Sequence, residues 1–180
     1  MGRLRPGRVL MLGLELVVAG VLQTLPIGPP DVFWGGRPNL LGLLVLDTAL
    51  RDGPWAGAAM GLLAGAWIDL LAGEIIGAAV GAWLIMGYGI GLLGTYLFRE
   101  RWEVPLVIVP LGSLVGLTLE LLFGTIWSPG RAVGGLWLQT VVPATVYNGL
   151  LAVMIYGLGH RWFWRLRPSA YHLGADIHAH

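Results

Sequence analysis

Apolar residues run through this chain in long blocks, and the short polar or Gly/Pro-rich breaks between them set its elements. The blocks cover Val9–Leu25, Asn39–Leu50, Pro54–Ala72, Ile75–Phe98, Val104–Ile126 and Leu136–Leu158. An α-helix needs roughly 20 residues, with a range of about 17–25, to cross the hydrocarbon core of a bilayer. Five blocks meet that length and the second is short. Pro38 and Asn39 mark the second block's helix start, and Arg51-Asp52-Gly53-Pro54 makes a tight exit turn. The pattern predicts an all-α polytopic membrane protein. Six transmembrane helices form one compact bundle over residues 1–167, and residues 168–180 form a short cytoplasmic tail.

Within the third block, Gly57, Gly61, Gly65, Asp69 and Gly73 recur at every fourth position. Residues four apart share one helix face. That face is nearly flat, admits a second backbone and carries a carboxylate. In lipid, close packing and hydrogen bonding replace the hydrophobic drive between helices, so the row is predicted to be a helix-packing face, inside the bundle or toward a partner. Shorter glycine pairs occur at Gly77 and Gly81, Gly87 and Gly91, and Gly112 and Gly116.

Composition agrees with the membrane reading. The chain is 56% hydrophobic and 12% charged, against about 25% charged in soluble domains, and its mean hydropathy is +0.74. Charge placement tests the short second helix. With six spans and the N-terminus inside, nine arginines (Arg3, Arg5, Arg8, Arg51, Arg99, Arg101, Arg161, Arg165 and Arg167) fall on the cytoplasmic side, and only Arg37 and Arg131 fall outside. That split follows the positive-inside rule, and a five-span arrangement gives a poorer one. Both termini are therefore expected in the cytoplasm. Trp34, Trp55, Trp102, Trp127, Trp137, Trp162 and Trp164 fall near predicted helix ends, where indoles favour the interface; Trp67 and Trp83 fall within spans. The basic N-terminus followed by an apolar stretch imitates a signal peptide, but Glu15 interrupts it, so it is read as a retained first helix. There is no cysteine, hence no disulfide or thiol chemistry.

The chemistry-bearing residues are few. Glu15, Asp47, Asp69 and Glu120 fall inside predicted spans, with Gln23, Gln139 and Asn148 as neutral polar groups. A charge at the bilayer centre costs roughly 2.5–3.5 kcal/mol on insertion scales. Such groups face the bundle interior and share hydrogen bonds, or they hold a proton on a conduction path. The zinc-protease, serine-hydrolase and P-loop motifs are missing, so no catalytic, cofactor or metal site is predicted. His172, His178 and His180 are read as part of a solvated tail. No nucleic-acid-binding pattern is present. The basic ends Arg3–Arg8 and Arg161–Arg167 suit anionic membrane lipids or a cytoplasmic protein. The loop Pro26–Pro38, stiffened by prolines and carrying Val32, Phe33 and Trp34, suits the membrane interface or an outer partner.

From Arg37 to Gly91 the chain resembles the rod shape-determining protein MreD family. The resemblance rests on Pro38, Leu40 and Leu41 at the start of a short second helix; on Ala49, Leu50 and Arg51 before the Gly53-Pro54 turn; on Gly61, Gly65 and Asp69 in the third helix; and on Gly77 opening the fourth. The family commonly has an acid after the proline, where this chain has Asn39, so any role of that acid does not transfer. The resemblance implies a non-enzymatic inner-membrane component of the bacterial cell-wall elongation machinery. It also implies association with MreC, and a link from there to the actin-like MreB and to the peptidoglycan synthases RodA and penicillin-binding protein 2.

Two other classes fit parts of the pattern. Six helices in 180 residues are also similar to the substrate-capturing S component of energy-coupling-factor vitamin transporters, although the first helix has no clear small-xxx-small pair. A small proton-coupled transporter using Glu15, Asp69 and Glu120 is the other, although no inverted repeat is evident.

Overall fold

The computed structural model describes residues 6–25, 37–73, 77–97, 103–127 and 133–158. These form α1 (Pro6–Thr24), α2 (Leu40–Asp52), α3 (Pro54–Ala72), α4 (Ala78–Leu97) and α5 (Glu103–Trp127). A last, composite helix follows: α6 (Val133–Leu136), a π-helical turn at Trp137–Val141, α7 (Val142–Ala152) and a second π-helical stretch at Val153–Leu158. Among the described residues there is no strand. The all-α bundle of six helices is thus the fold observed. Five are long and apolar enough to cross a membrane: α1, α3, α4, α5 and the composite helix. The loop at 26–36, most of the predicted interface tryptophans, Arg3 and Arg5 of the first basic end, the whole of the second, the histidines and the tail lie outside the described residues.

Helix boundaries follow local chemistry. Gly53, at φ 90°, is the single residue between α2 and α3, and Pro54 opens α3 where a missing N–H costs nothing. Gly73 ends α3 in the left-handed conformation, φ 66°, with its N–H donating to the Leu70 carbonyl at 3.3 Å. The fourth helix is described from Ala78, with Gly77 just before it at a non-helical φ of 151° and Asp69 accepting from the N–H groups of its first turn. The composite helix starts earlier than expected, and its first π turn has a visible cause. Pro143 has no N–H to offer the preceding turn, and the Val142 N–H donates instead to the Trp137 carbonyl five residues back.

The centre of the bundle is α2 with α4. Leu41, Val45, Leu46 and Ala49 of α2 are completely buried, as are Ala79, Ala82 and Trp83 of α4. Trp83 is the keystone. Its indole lies against Gly42 of α2 and Gly116 of α5, and a Cβ on Gly116 would come within 2.9 Å of the ring. The glycines of these two helices therefore make room for one large side chain. Pro110 of α5 packs against Gly149 of α7, and Trp137 Nε1–H donates to Thr118 Oγ1 at 2.9 Å, tying α5 to the composite helix.

Candidate functional site

The short α2 begins inside protein, and this creates the most demanding site in the molecule. A helix of thirteen residues reaches only about 20 Å, less than the ~30 Å hydrocarbon thickness. Its first N–H groups have no intrahelical partners, and leaving them unpaired in an apolar interior costs several kcal/mol each, on the order of 2–7. Three side chains meet this demand. Asn39 caps the helix, its Oδ1 accepting from Gly42 N–H at 2.8 Å. The Asn39 N–H donates to Asn148 Oδ1 of α7 at 3.0 Å, and the Leu40 N–H donates to Gln23 Oε1 of α1 at 2.8 Å. Asn148 in turn donates from Nδ2 to Ser113 Oγ of α5 at 3.1 Å. Asn148 and Ser113 are fully buried. Four helices thus converge on one helix start.

A second polar cluster sits at the other end of α2. Arg8 of α1 clasps Asp52 through Nε and Nη2, at 3.1 and 2.7 Å from Oδ2, and also reaches Glu15 at 3.5 Å. On the opposite flank, Asp47 Oδ1 accepts from Arg51 Nε at 2.7 Å and from the Tyr156 hydroxyl of the composite helix. The Arg51 guanidinium lies 5.8 Å from the centre of the Tyr156 ring. The ends of α2 are therefore fastened to α1 on one side and to the composite helix on the other.

The glycine row lies against α4. A Cβ on Gly57 would overlap the Gly87 carbonyl oxygen; on Gly61, the Trp83 carbonyl; and on Gly65 it would stand 2.6 Å from Val80 Cα. Gly91 likewise receives Pro54. Asp69, 4% exposed, closes this seam. Its carboxylate accepts from Gly77 N–H at 2.7 Å, Ala79 N–H at 2.9 Å and Val80 N–H at 3.3 Å. A carboxylate on the first N–H groups of a helix also meets the positive end of its dipole. Gly73 stands outside the seam as the C-cap, with open space where a side chain would be.

The remaining predicted polar residues divide. Glu120 of α5 accepts from the buried Trp83 Nε1–H at 2.7 Å. Gln139 departs from the expectation that such groups face the interior: it is exposed on the bundle's outside. The reason is helical phase. At about 100° per residue, positions 139 and 148 lie on opposite faces, so with Asn148 inside, Gln139 is turned out. Asn39 and Ser113 were not picked out as partners of Asn148. Asn39 carried a sequence signal as a helix start; Ser113 carried none. Asn39 also supplies a helix-cap acceptor at the position where the resemblance led one to look for an acid.

A family model for rod shape-determining protein MreD matches residues 5–160. The chain therefore belongs to the MreD family, and that membership supports a role in rod-shape determination. Comparison with curated proteins and with solved structures gave no match.

Proposed function

We propose that this MreD-family chain is a non-enzymatic scaffold and regulator of the bacterial cell-wall elongation complex. It sits in the cytoplasmic membrane with both termini in the cytoplasm, binds a single-span MreC-like partner and links it to MreB, RodA and penicillin-binding protein 2. The observation that supports this most directly, beside the family match, is how the in-membrane acids are used. Glu15 and Asp47 pair with arginines, Asp69 caps a helix, and Glu120 receives an indole N–H. Asp47 (through Tyr156), Asp69 and Glu120 each hold one helix against another, and Glu15 backs the Arg8 that clasps Asp52, as befits a body that presents surfaces rather than performs chemistry. The glycine face of α3 is occupied by α4, so partner contacts fall to the outward sides of the helices, the loops and the basic ends.

The test is affinity purification of the tagged full chain from native membranes, followed by mass spectrometry. Enrichment of an MreC-like protein, with or without a synthase, is the expected result. Enrichment of an ATPase module instead would overturn the scaffold reading in favour of transport. Orientation is checked separately by reporter fusions: both ends are expected to report from the cytoplasm.

A further inference from the structure

A cavity of about 420 Å³ opens between the end of α1, the end of α3 and the chain leading into α2, lined by Gln23, Thr24, Arg37, Ile68, Leu71 and Ala72. Its walls are of two kinds. Ile68, Leu71 and Ala72 form an apolar side on α3, and Leu71, 47% exposed, carries it to the outward surface of the helix. The opposite side is polar, and its hydrogen-bonding capacity is already partly spent. Gln23 uses Oε1 to accept from Leu40 N–H, which leaves its amide N–H₂ as a donor. Thr24 gives its hydroxyl proton to the Val21 carbonyl at 2.7 Å, which leaves its oxygen as an acceptor. Arg37 is exposed and has no carboxylate partner among the described residues. The polar side thus offers a guanidinium and an amide donor, with one acceptor beside them.

We propose that this cavity binds the phosphodiester of an anionic membrane phospholipid. Arg37 and the Gln23 amide hold the phosphate, Thr24 Oγ1 accepts from a headgroup hydroxyl, and the acyl chains lie along Ile68, Leu71 and Ala72. The shared chemistry is a phosphate anion. The lipid form is favoured over a free ion because half the cavity is apolar and runs onto the outward surface of a helix that crosses the membrane. Arginine suits phosphate through its planar fork of donors, which holds two oxygens at once. The size falls in the range of about 300–1,000 Å³ usual for small-molecule sites. The site depends only on the chain lying in a bilayer, not on its partners.

The full chain, purified in detergent, would be titrated with phosphatidylglycerol, phosphatidylcholine or inorganic phosphate and read by native mass spectrometry. Phosphatidylglycerol is expected to be retained over phosphatidylcholine, and Arg37→Gln is expected to lose roughly tenfold in that retention, the scale of one charge-assisted hydrogen bond. Ile68→Trp, which fills the apolar side while sparing Arg37, is expected to lower retention as well. Because Arg37 is exposed, its variant should elute as a monodisperse species like the parent chain, so that loss of lipid is separable from loss of fold. Unchanged retention by Arg37→Gln, or equal retention of the two lipids, would overturn the site. Displacement of the lipid by millimolar inorganic phosphate would overturn the lipid as its occupant.

Discussion

Between α3 and α4, glycines bring two backbones into contact along the whole seam. By contrast, α1 lies on the bundle's flank and touches it at a few points. Only 11% of the apolar window of α1 is buried, against 33% for α3 and 44% for α4. Its attachments are Arg8 on Asp52, Gln23 on the start of α2, the buried Leu12, and Gly20 against the Trp67 ring. The seam gains its stability from dispersion and from exclusion of lipid, which tolerate no added volume. The flank gains it from discrete polar clasps, which can be removed singly. In a solvent as apolar as the side chains themselves, these are the two means available.

The largest effect is expected where the contrast is greatest. Gly65→Leu puts a side chain where Val80 Cα stands 2.6 Å from the first added carbon, and backbone cannot yield as a flexible side chain does. Overpacking typically costs about 1–3 kcal/mol and occasionally more, and the upper end is expected here. Gly13→Leu in α1 meets nothing within 4 Å and is expected to leave stability nearly unchanged. Thermal unfolding of both variants in the same detergent measures the difference. Equal shifts would break the comparison.

Next come the polar groups that complete α2. Asn148→Leu strips the Asn39 N–H of its acceptor and Ser113 of its donor, inside protein. An unsatisfied buried group costs about 1–3 kcal/mol, so a clear fall in the unfolding midpoint is expected. Asn39→Asp keeps a cap acceptor for Gly42 N–H and is expected to cost less than Asn39→Leu, which removes it. If the two Asn39 variants fall equally, capping is not what Asn39 contributes.

How much of this could be read beforehand depended on whether the signal was periodic. The glycines of α3 repeat every fourth position, so their common face was visible; that α4 is the neighbour it meets accords with the few residues of chain between the two helices, and the third helix has the same bounds in sequence and structure. The acids in the spans were visible as costly residues, but their partners were not. Arg8 and Asp52 are 44 positions apart, and Asn39 and Asn148 are 109 apart, so only the folded bundle brings them together. Trp83 looked like any tryptophan within a span. Its role comes from Gly42 and Gly116, one on each of two other helices, and no local pattern links them. Gln139 shows the opposite failure, since its helical phase relative to Asn148 was available in the sequence and placed it outside.

A smaller effect is expected at the closure of the seam. Asp69→Ala removes the acceptor for three N–H groups at the start of α4 and should cost on the order of 1–2 kcal/mol, as loss of a helix cap does. Asp69→Asn keeps one carbonyl oxygen and should recover part of that in the same unfolding assay. If instead Asp69→Asn is stable and well inserted but abolishes control of cell shape, the carboxylate has a role beyond holding α4.

The smallest change in global stability, and the sharpest probe of the contrast, concerns Arg8. Its clasp on Asp52 is only partly shielded, with side-chain exposures of 25% and 15%, and ion pairs of this kind contribute about 0–1 kcal/mol. Arg8→Gln should therefore scarcely move the unfolding midpoint. What it should change is local. The chain contains no cysteine, so single reporters can be placed freely: Leu12→Cys under α1 and Ala79→Cys within the α3–α4 seam, both buried positions. With Arg8 present, both thiols should react slowly with a maleimide in detergent. With Arg8→Gln, the thiol at position 12 should react faster while that at position 79 stays protected, because α1 can lift from α2 without parting the glycine seam. Acceleration at both positions would mean that the flank and the seam open together and that α1 is an integral part of one cooperative core.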